Sequence, residues 1–188
     1  MCYQHLTSPE PDGASNADIG KLVDSIVPPI LAHIRAKHGI QGCGFVLPAD
    51  VHDYLYDAGA ISGEMFDDVF GGSILDAEHL GRFLNAFEAV PKGARAAAAM
   101  LFKEHVVCVL RVGDAYHFVD SLPSDEGRGM GTRTICADIH VLRSYLLTYA
   151  TNRLAGRDAA YHDAHEWDDL QGEFDPRVFQ AYLWHNTP

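Results

Sequence analysis

The stretch His105 to Ser121, HVVCVLRVGDAYHFVDS, opens on an imidazole and closes on the carboxylate of Asp120. Two runs rich in β-branched and aromatic residues flank a Gly-Asp turn signal, which predicts a β-hairpin. If Val112 and Gly113 form the loop, His105 and Asp120 are directly opposite; if Gly113 and Asp114 form it, they are diagonal neighbours on one face. Either way a carboxylate stands beside an imidazole. That fixes the tautomer of the ring and stabilises its protonated form, as a general base for a Ser or Cys nucleophile requires. Strand ends also carry polar groups for no chemical reason, and an ion pair at a sheet edge is normally solvated. The residues between, VVCVL and FV, are apolar on both faces, so the hairpin is central and its polar ends border something partly buried.

The longer run FKEHVVCVLRVGDAYHFVDSLP, Phe102 to Pro123, resembles the His-to-Asn/Asp hairpin of papain-fold cysteine peptidases. It is most similar to that of the Josephin family of deubiquitinating enzymes. Those enzymes carry a Lys-Glu-His run, a strand, a Gly-containing turn, and an aromatic strand that closes on Asn or Asp followed by Ser-Leu. Transglutaminase-like and SUMO-protease-like branches share the pattern, so it identifies the superfamily better than the family. Val106 stands where these families carry tryptophan. The resemblance implies a papain-like α+β fold, a thiol nucleophile, His105 as general base and then acid, and Asp120 as its orienter. It further implies a protein substrate such as ubiquitin or a ubiquitin-like protein, and no cofactor.

A papain-type nucleophile needs a helix N-terminus and an imidazole to lower its pKa, and an N–H or glutamine donor for the oxyanion. Cys108 lies mid-strand among apolar neighbours and reads as core. Cys136 follows the hairpin, the wrong order for a papain-type enzyme. Cys43 stands in GIQGCGFVLPADVHDYL, where Gly42 and Gly44 let an extended substrate approach and the following segment turns helical. The run from Cys43 to Leu47 is similar to the cysteine-glycine helix start of SUMO-type proteases, with Gln41 as the oxyanion donor. Gln41 lies two residues before the cysteine rather than five or six, and Pro48 delays the helix. Cys2, in MCYQHL, is similar to the Cys-Ala-Gln-His of Josephin enzymes and lies at a comparable distance from the histidine. No preceding residue supplies its oxyanion glutamine, and TSPEPDG continues a helix poorly. Cys43 is the first choice and Cys2 the second; with neither reactive, the chain is a papain-fold pseudoenzyme.

These residues need elements to hold them. Residues 1–18 read as a flexible tail, because TSPEPDGASNAD has too little apolar surface to repay ordering. Residues 19–188 read as one domain of a size that buries a single core. From Asp18 on, Leu22, Ile26, Ile30 and Ile34 recur every fourth residue and predict a helix, interrupted or kinked at Pro28 and Pro29 and ended by Gly39. A second helix starts near Pro48. A third follows Ser73 to Asp76, with Leu80, Phe83, Leu84 and Phe87 on one face. After the hairpin come a strand over TRTIC and a helix capped by Asp138 that carries Leu142, Tyr145, Leu146 and Tyr149. Asp175 and Pro176 predict a last short helix with Phe179, Tyr182 and Leu183 inward. The class is α+β: a helical half, then a small antiparallel sheet with helices against it.

A formal net charge of -12 excludes a nucleic-acid partner, whose phosphates this surface would repel. The longest apolar runs fall short of a membrane span and no charged, apolar leader opens the chain. Four cysteines without CxxC or zinc spacing suit free thiols in a reducing, cytoplasmic setting. One further motif competes: in YHDAHEWDD, His162 and His165 with Asp163, Glu166 and Asp168 could form one side of a metal site, although no recognised spacing is completed. The expected function is thiol hydrolysis of peptide or isopeptide bonds by Cys43, His105, Asp120 and Gln41. The alternatives are a non-catalytic module of the same fold and a His/Asp metal-binding protein. If the acidic segment is only a solvated one, zinc, nickel and manganese will leave the melting temperature unmoved; a rise of several degrees assigns the site.

Overall fold

The computed structural model describes residues 2–7, 21, 24–42, 44, 46–63, 69–121, 131–168 and 175–186. Helices α1 (Cys2–Thr7), α2 (Val27–His38) and α3 (Pro48–Asp57) precede strand β1 (Val69–Ser73) and helix α4 (Ala77–Ala89). Strands β2 (Ala96–Phe102), β3 (His105–Val112), β4 (Ala115–Asp120) and β5 (Thr132–Cys136) follow, then α5 (Ile139–Arg153), α6 (Arg157–Ala164) and β6 (Val178–His185). Among the described residues the six strands form one antiparallel sheet in the order β1-β6-β2-β3-β4-β5.

The central strands carry a buried apolar cluster on each face, while Val69 of β1, Val106 at the start of β3 and Ile135 of β5 are exposed. One face carries Phe102, Val107, Val109, Tyr116 and Phe118 against Phe83 and Phe87 of α4 and Leu142 and Leu146 of α5. The other carries Ala97, Leu110, Val119 and Trp184 against Leu6 of α1 and Leu55 of α3. Alternate residues therefore enter different cores, since side chains on a strand have a period of two. The long helices form for the reasons read from the sequence. Asp76 caps α4 by accepting from the Glu78 and His79 amides, and Asp138 caps α5 by accepting from the Val141 amide.

Three expectations change. Asp175 and Pro176 open a turn rather than a helix: the Asp175 carboxylate accepts from the Arg177 amide at 2.8 Å, and the Val178 amide bonds back to the Asp175 carbonyl at 3.1 Å. The following residues enter the sheet as β6 between β1 and β2, where a ladder on each side outweighs the helix-start signal. The first half is not all helical, for it contributes β1. The AAAAMLF of β2 has poor strand propensity. Ala96, Ala97 and Ala98 are fully buried between the two covering layers, and Met100 and Phe102 continue the strand into the core that Ala96 and Ala98 enter. Of the expected tail over 1–18, Cys2–Thr7 is a helix laid on the sheet with Leu6 buried, and residues 8–18 lie outside the described residues. Arg95 and Asn186 donate side-chain hydrogen bonds to the His5 and Leu6 carbonyls, satisfying groups that the end of α1 leaves open.

Two buried arginines, Arg111 and Arg177, hold connections to the sheet. The buried guanidinium of Arg111 donates to the carbonyls of Val90, Pro91 and Ala94, tying the α4–β2 connection to β3. Asp175 and Arg177 form a buried ion pair at the entry to β6. Burial pushes the Asp175 carboxyl up, but hydrogen bonds from the Arg177 side chain and amide and its positive charge outweigh this, leaving it below the usual carboxylate range. A depressed folded-state pKa contributes stability that is present above the unfolded value of about 3.9 and lost as pH falls through the folded value. Asp175→Asn is therefore expected to lose about 1–3 kcal/mol at pH 7 and to flatten the loss of stability below about pH 4. Urea melts of both proteins from pH 7 to pH 2.5 check this; parallel pH profiles would refute it.

Candidate active site

The β2–β3 turn is Lys103-Glu104, both at positive φ (51° and 62°) as a tight hairpin turn of this kind demands. Its Lys103 pairs with Asp158 of α6. His105 is the next residue, the first of β3, opposite Phe102. At the other end of that hairpin Val112 pairs with Ala115, so Gly113 and Asp114 form the loop, Gly113 at φ 62°. The ladder thus brings His105 and Asp120 together as diagonal neighbours on the face covered by α4 and α5. Asp120 is 7% exposed. Its carboxylate takes an ion pair from Arg153 of α5 at 3.2 Å, and the guanidinium lies 4.8 Å from the centre of the Tyr149 ring. Burial, and then the Asp120 charge, push the Tyr149 hydroxyl up to about 12. The half-buried His105 ring has no hydrogen-bond or ion-pair partner among the described residues.

The described thiols stand apart from this pair. Cys2, in the first turn of α1, has its Sγ 2.9 Å from Cys108 Sγ on β3. Cys108 pairs with Val119, so both sulfurs are on the α1/α3 face, and the sheet lies between them and His105. The Cys108 bond holds the Cys2 thiol below the ordinary range, opposed by burial. Cys136 shares the His105 face but pairs with Tyr116, four residues along β4 from Asp120, roughly 13 Å away at strand rise. Burial and then Asp138 push that thiol up.

Cys43 lies outside the described residues. Its neighbours form a braced loop: Arg35 of α2 donates to the Gly42 carbonyl at 2.7 Å and to the Gly44 carbonyl at 2.9 Å, and the Gly44 amide bonds to Gln41 O at 3.1 Å. A Cβ at Gly44 would come within 2.6 Å of the Ile40 side chain, so this close return needs glycine. Gln41 is exposed beside it. The loop leads into α3, which packs on the α1 side through Leu55, with Trp184 Nε1 donating to His52 at 3.1 Å.

Sequence reasoning missed two features of that side. One is the Cys2–Cys108 contact, which joins residues 106 apart. The other is His117, 6% exposed, whose Nδ1 accepts from Arg133 Nε at 2.8 Å. His117 and Cys108 share a face by the same hairpin parity that pairs His105 with Asp120, so that half was open to reading. The proposed metal segment is divided. His162 Nδ1 lies 3.3 Å from Asp163, while His165 stacks on Tyr161 and its Nδ1 lies 3.0 Å from that residue's carbonyl oxygen. Among the described residues no three His, Cys, Asp or Glu side chains converge on one point. A cavity of about 590 Å³ lies at the Gly113 end of the hairpin, lined by Lys92, Arg95, Arg111 and Asp138, at the far end from His105.

No protein-family model matches the chain, and no curated protein matches it. Among solved structures the fold is similar to that of the ubiquitin-specific protease encoded by murine cytomegalovirus tegument protein M48, in complex with a ubiquitin-based suicide substrate. The TM-score is 0.55 at 11% sequence identity, over 96% of this chain and 71% of that one. At that identity the likeness is one of fold. The chain has the α+β, papain-like fold: helices and an antiparallel sheet with helical layers against it.

Removing Arg153 leaves the Asp120 carboxylate buried without its cation. Arg153→Ala is expected to cost about 1–3 kcal/mol in urea denaturation, and adding Asp120→Asn should return part of that. Strictly additive costs would show that the pair is not coupled.

Proposed function

We propose that this chain is a cysteine peptidase of the deubiquitinase type, acting on the peptide or isopeptide bond at the tail of ubiquitin or a ubiquitin-like protein. The observation that carries the proposal is the likeness of its fold to a ubiquitin-specific protease, on a chain whose central hairpin presents His105 and Asp120 on one face. In this reading His105 takes the thiol proton as general base and returns it to the leaving amine, while Asp120 orients the ring. Cys43 is the nucleophile, Gln41 donates to the oxyanion, and Gly42 and Gly44 admit the extended tail. Cys2 is the second candidate nucleophile. A reducing, cytoplasmic setting suits such a thiol.

A second reading, a non-catalytic module that binds ubiquitin-like proteins, is favoured by two specific observations. Asp120 is engaged by Arg153, and the sheet separates His105 from the Cys2 sulfur. Ubiquitin-propargylamide distinguishes the two. The peptidase reading expects covalent labelling of the intact chain, lost in Cys43→Ser, retained in Cys2→Ser, and slowed at least about 100-fold in His105→Ala. Labelling that follows Cys2 instead moves the nucleophile, and labelling indifferent to His105→Ala sinks its role as base. Ubiquitin binding without labelling supports the module.

A further inference from the structure

We propose that Cys2 and Cys108 are an oxidative modification site: hydroperoxide converts them to a reversible disulfide that fastens α1 to the central strand β3. The sulfurs are 2.9 Å apart on the same side of the sheet, brought together from positions 106 residues apart. Both residues are half-buried, so a small oxidant can approach while bulk solvent is largely held off. The α1 backbone is itself tied down, through the His5 and Leu6 carbonyls bonded by Arg95 and Asn186. That anchoring holds one sulfur in place for the other, which raises their effective concentration as an intramolecular pair.

The chemistry balances with hydrogen peroxide as the oxidant. The Cys2 thiolate attacks one peroxide oxygen, the O–O bond breaks, and the departing hydroxide takes a proton to become water; sulfur is oxidised by two electrons to the sulfenic acid. Cys108 then attacks the Cys2 sulfur, the S–O bond breaks, and its hydroxide leaves as water with the Cys108 proton. The S–S bond forms, and two thiols and one peroxide have become one disulfide and two waters. The balance is the same with the two sulfurs exchanged, because either thiol can donate to the other across the 2.9 Å contact. Cys136 supplies an internal contrast, being 1% exposed with its thiol pushed up.

The pair requires no peptidase activity. If Cys2 were the nucleophile, the same bond would also silence it, so the two ideas are tested apart. The full chain is reduced, freed of reductant, exposed to hydrogen peroxide, capped with iodoacetamide and digested with trypsin without reduction. The expected product links the peptide Met1 to Lys21 with the peptide Glu104 to Arg111. Dithiothreitol releases it, and it forms at least about tenfold faster than Cys136 is modified. Closing so long a loop should raise the melting temperature by about 5 °C or more. In Cys108→Ser the cross-link is absent and dimedone traps the Cys2 sulfenic acid; the wild-type peptide map decides the matter even if that variant folds poorly. Free Cys2 and Cys108 after oxidation, or Cys2 joined to Cys43 instead, would overturn the proposal. A mapped cross-link in a protein that ubiquitin-propargylamide never labels would remove the peptidase reading and leave this site standing.

Discussion

Burial of both faces of the central strands is the constraint on which the rest of the molecule depends. β2, β3 and β4 lie between a layer of α4 and α5 and a layer of α1 and α3, and each face carries its own apolar cluster. A strand in that position has no free register, because a slip of one residue would exchange its two sets of side chains between different cores. Every polar or reactive group in these strands is therefore assigned to one layer or the other by parity. His105, Asp120 and Cys136 fall on the α5 side, and Cys108 and His117 on the α1 side.

That assignment separates two kinds of chemistry. On the α5 side Asp120 is compensated by Arg153 and neighboured by Tyr149, whose hydroxyl burial and the Asp120 charge push further from ionising. On the α1 side the Cys2 and Cys108 sulfurs touch, and His117 is held by Arg133. At 11% identity the likeness to a ubiquitin-specific protease is one of fold, and it transfers no residue role.

The legible parts of the fold were those with local causes. The caps at Asp76 and Asp138, the apolar face of α4 and the Gly113 turn each depend on a few neighbouring residues, and each lies where the sequence places it. The illegible parts were those where tertiary context overrules propensity. The alanines of β2 favour a helix until β3 and β6 pair with them in a strand, and Asp175-Pro176 signals a helix start until sheet partners on both sides claim β6. Residues 2–7 look too short to order alone, and they are ordered by the sheet beneath them.

By itself the sequence determined that His105 and Asp120 share a face, because strand periodicity and the length of one tight turn are local quantities. It also determined the α+β class, through a change of apolar period along the chain. Only the tertiary structure decided which face that is, that Asp120 meets an arginine 33 residues away, and that Cys2 meets Cys108. Such contacts join segments with no local relation, and they exist only once the layers have closed on the sheet.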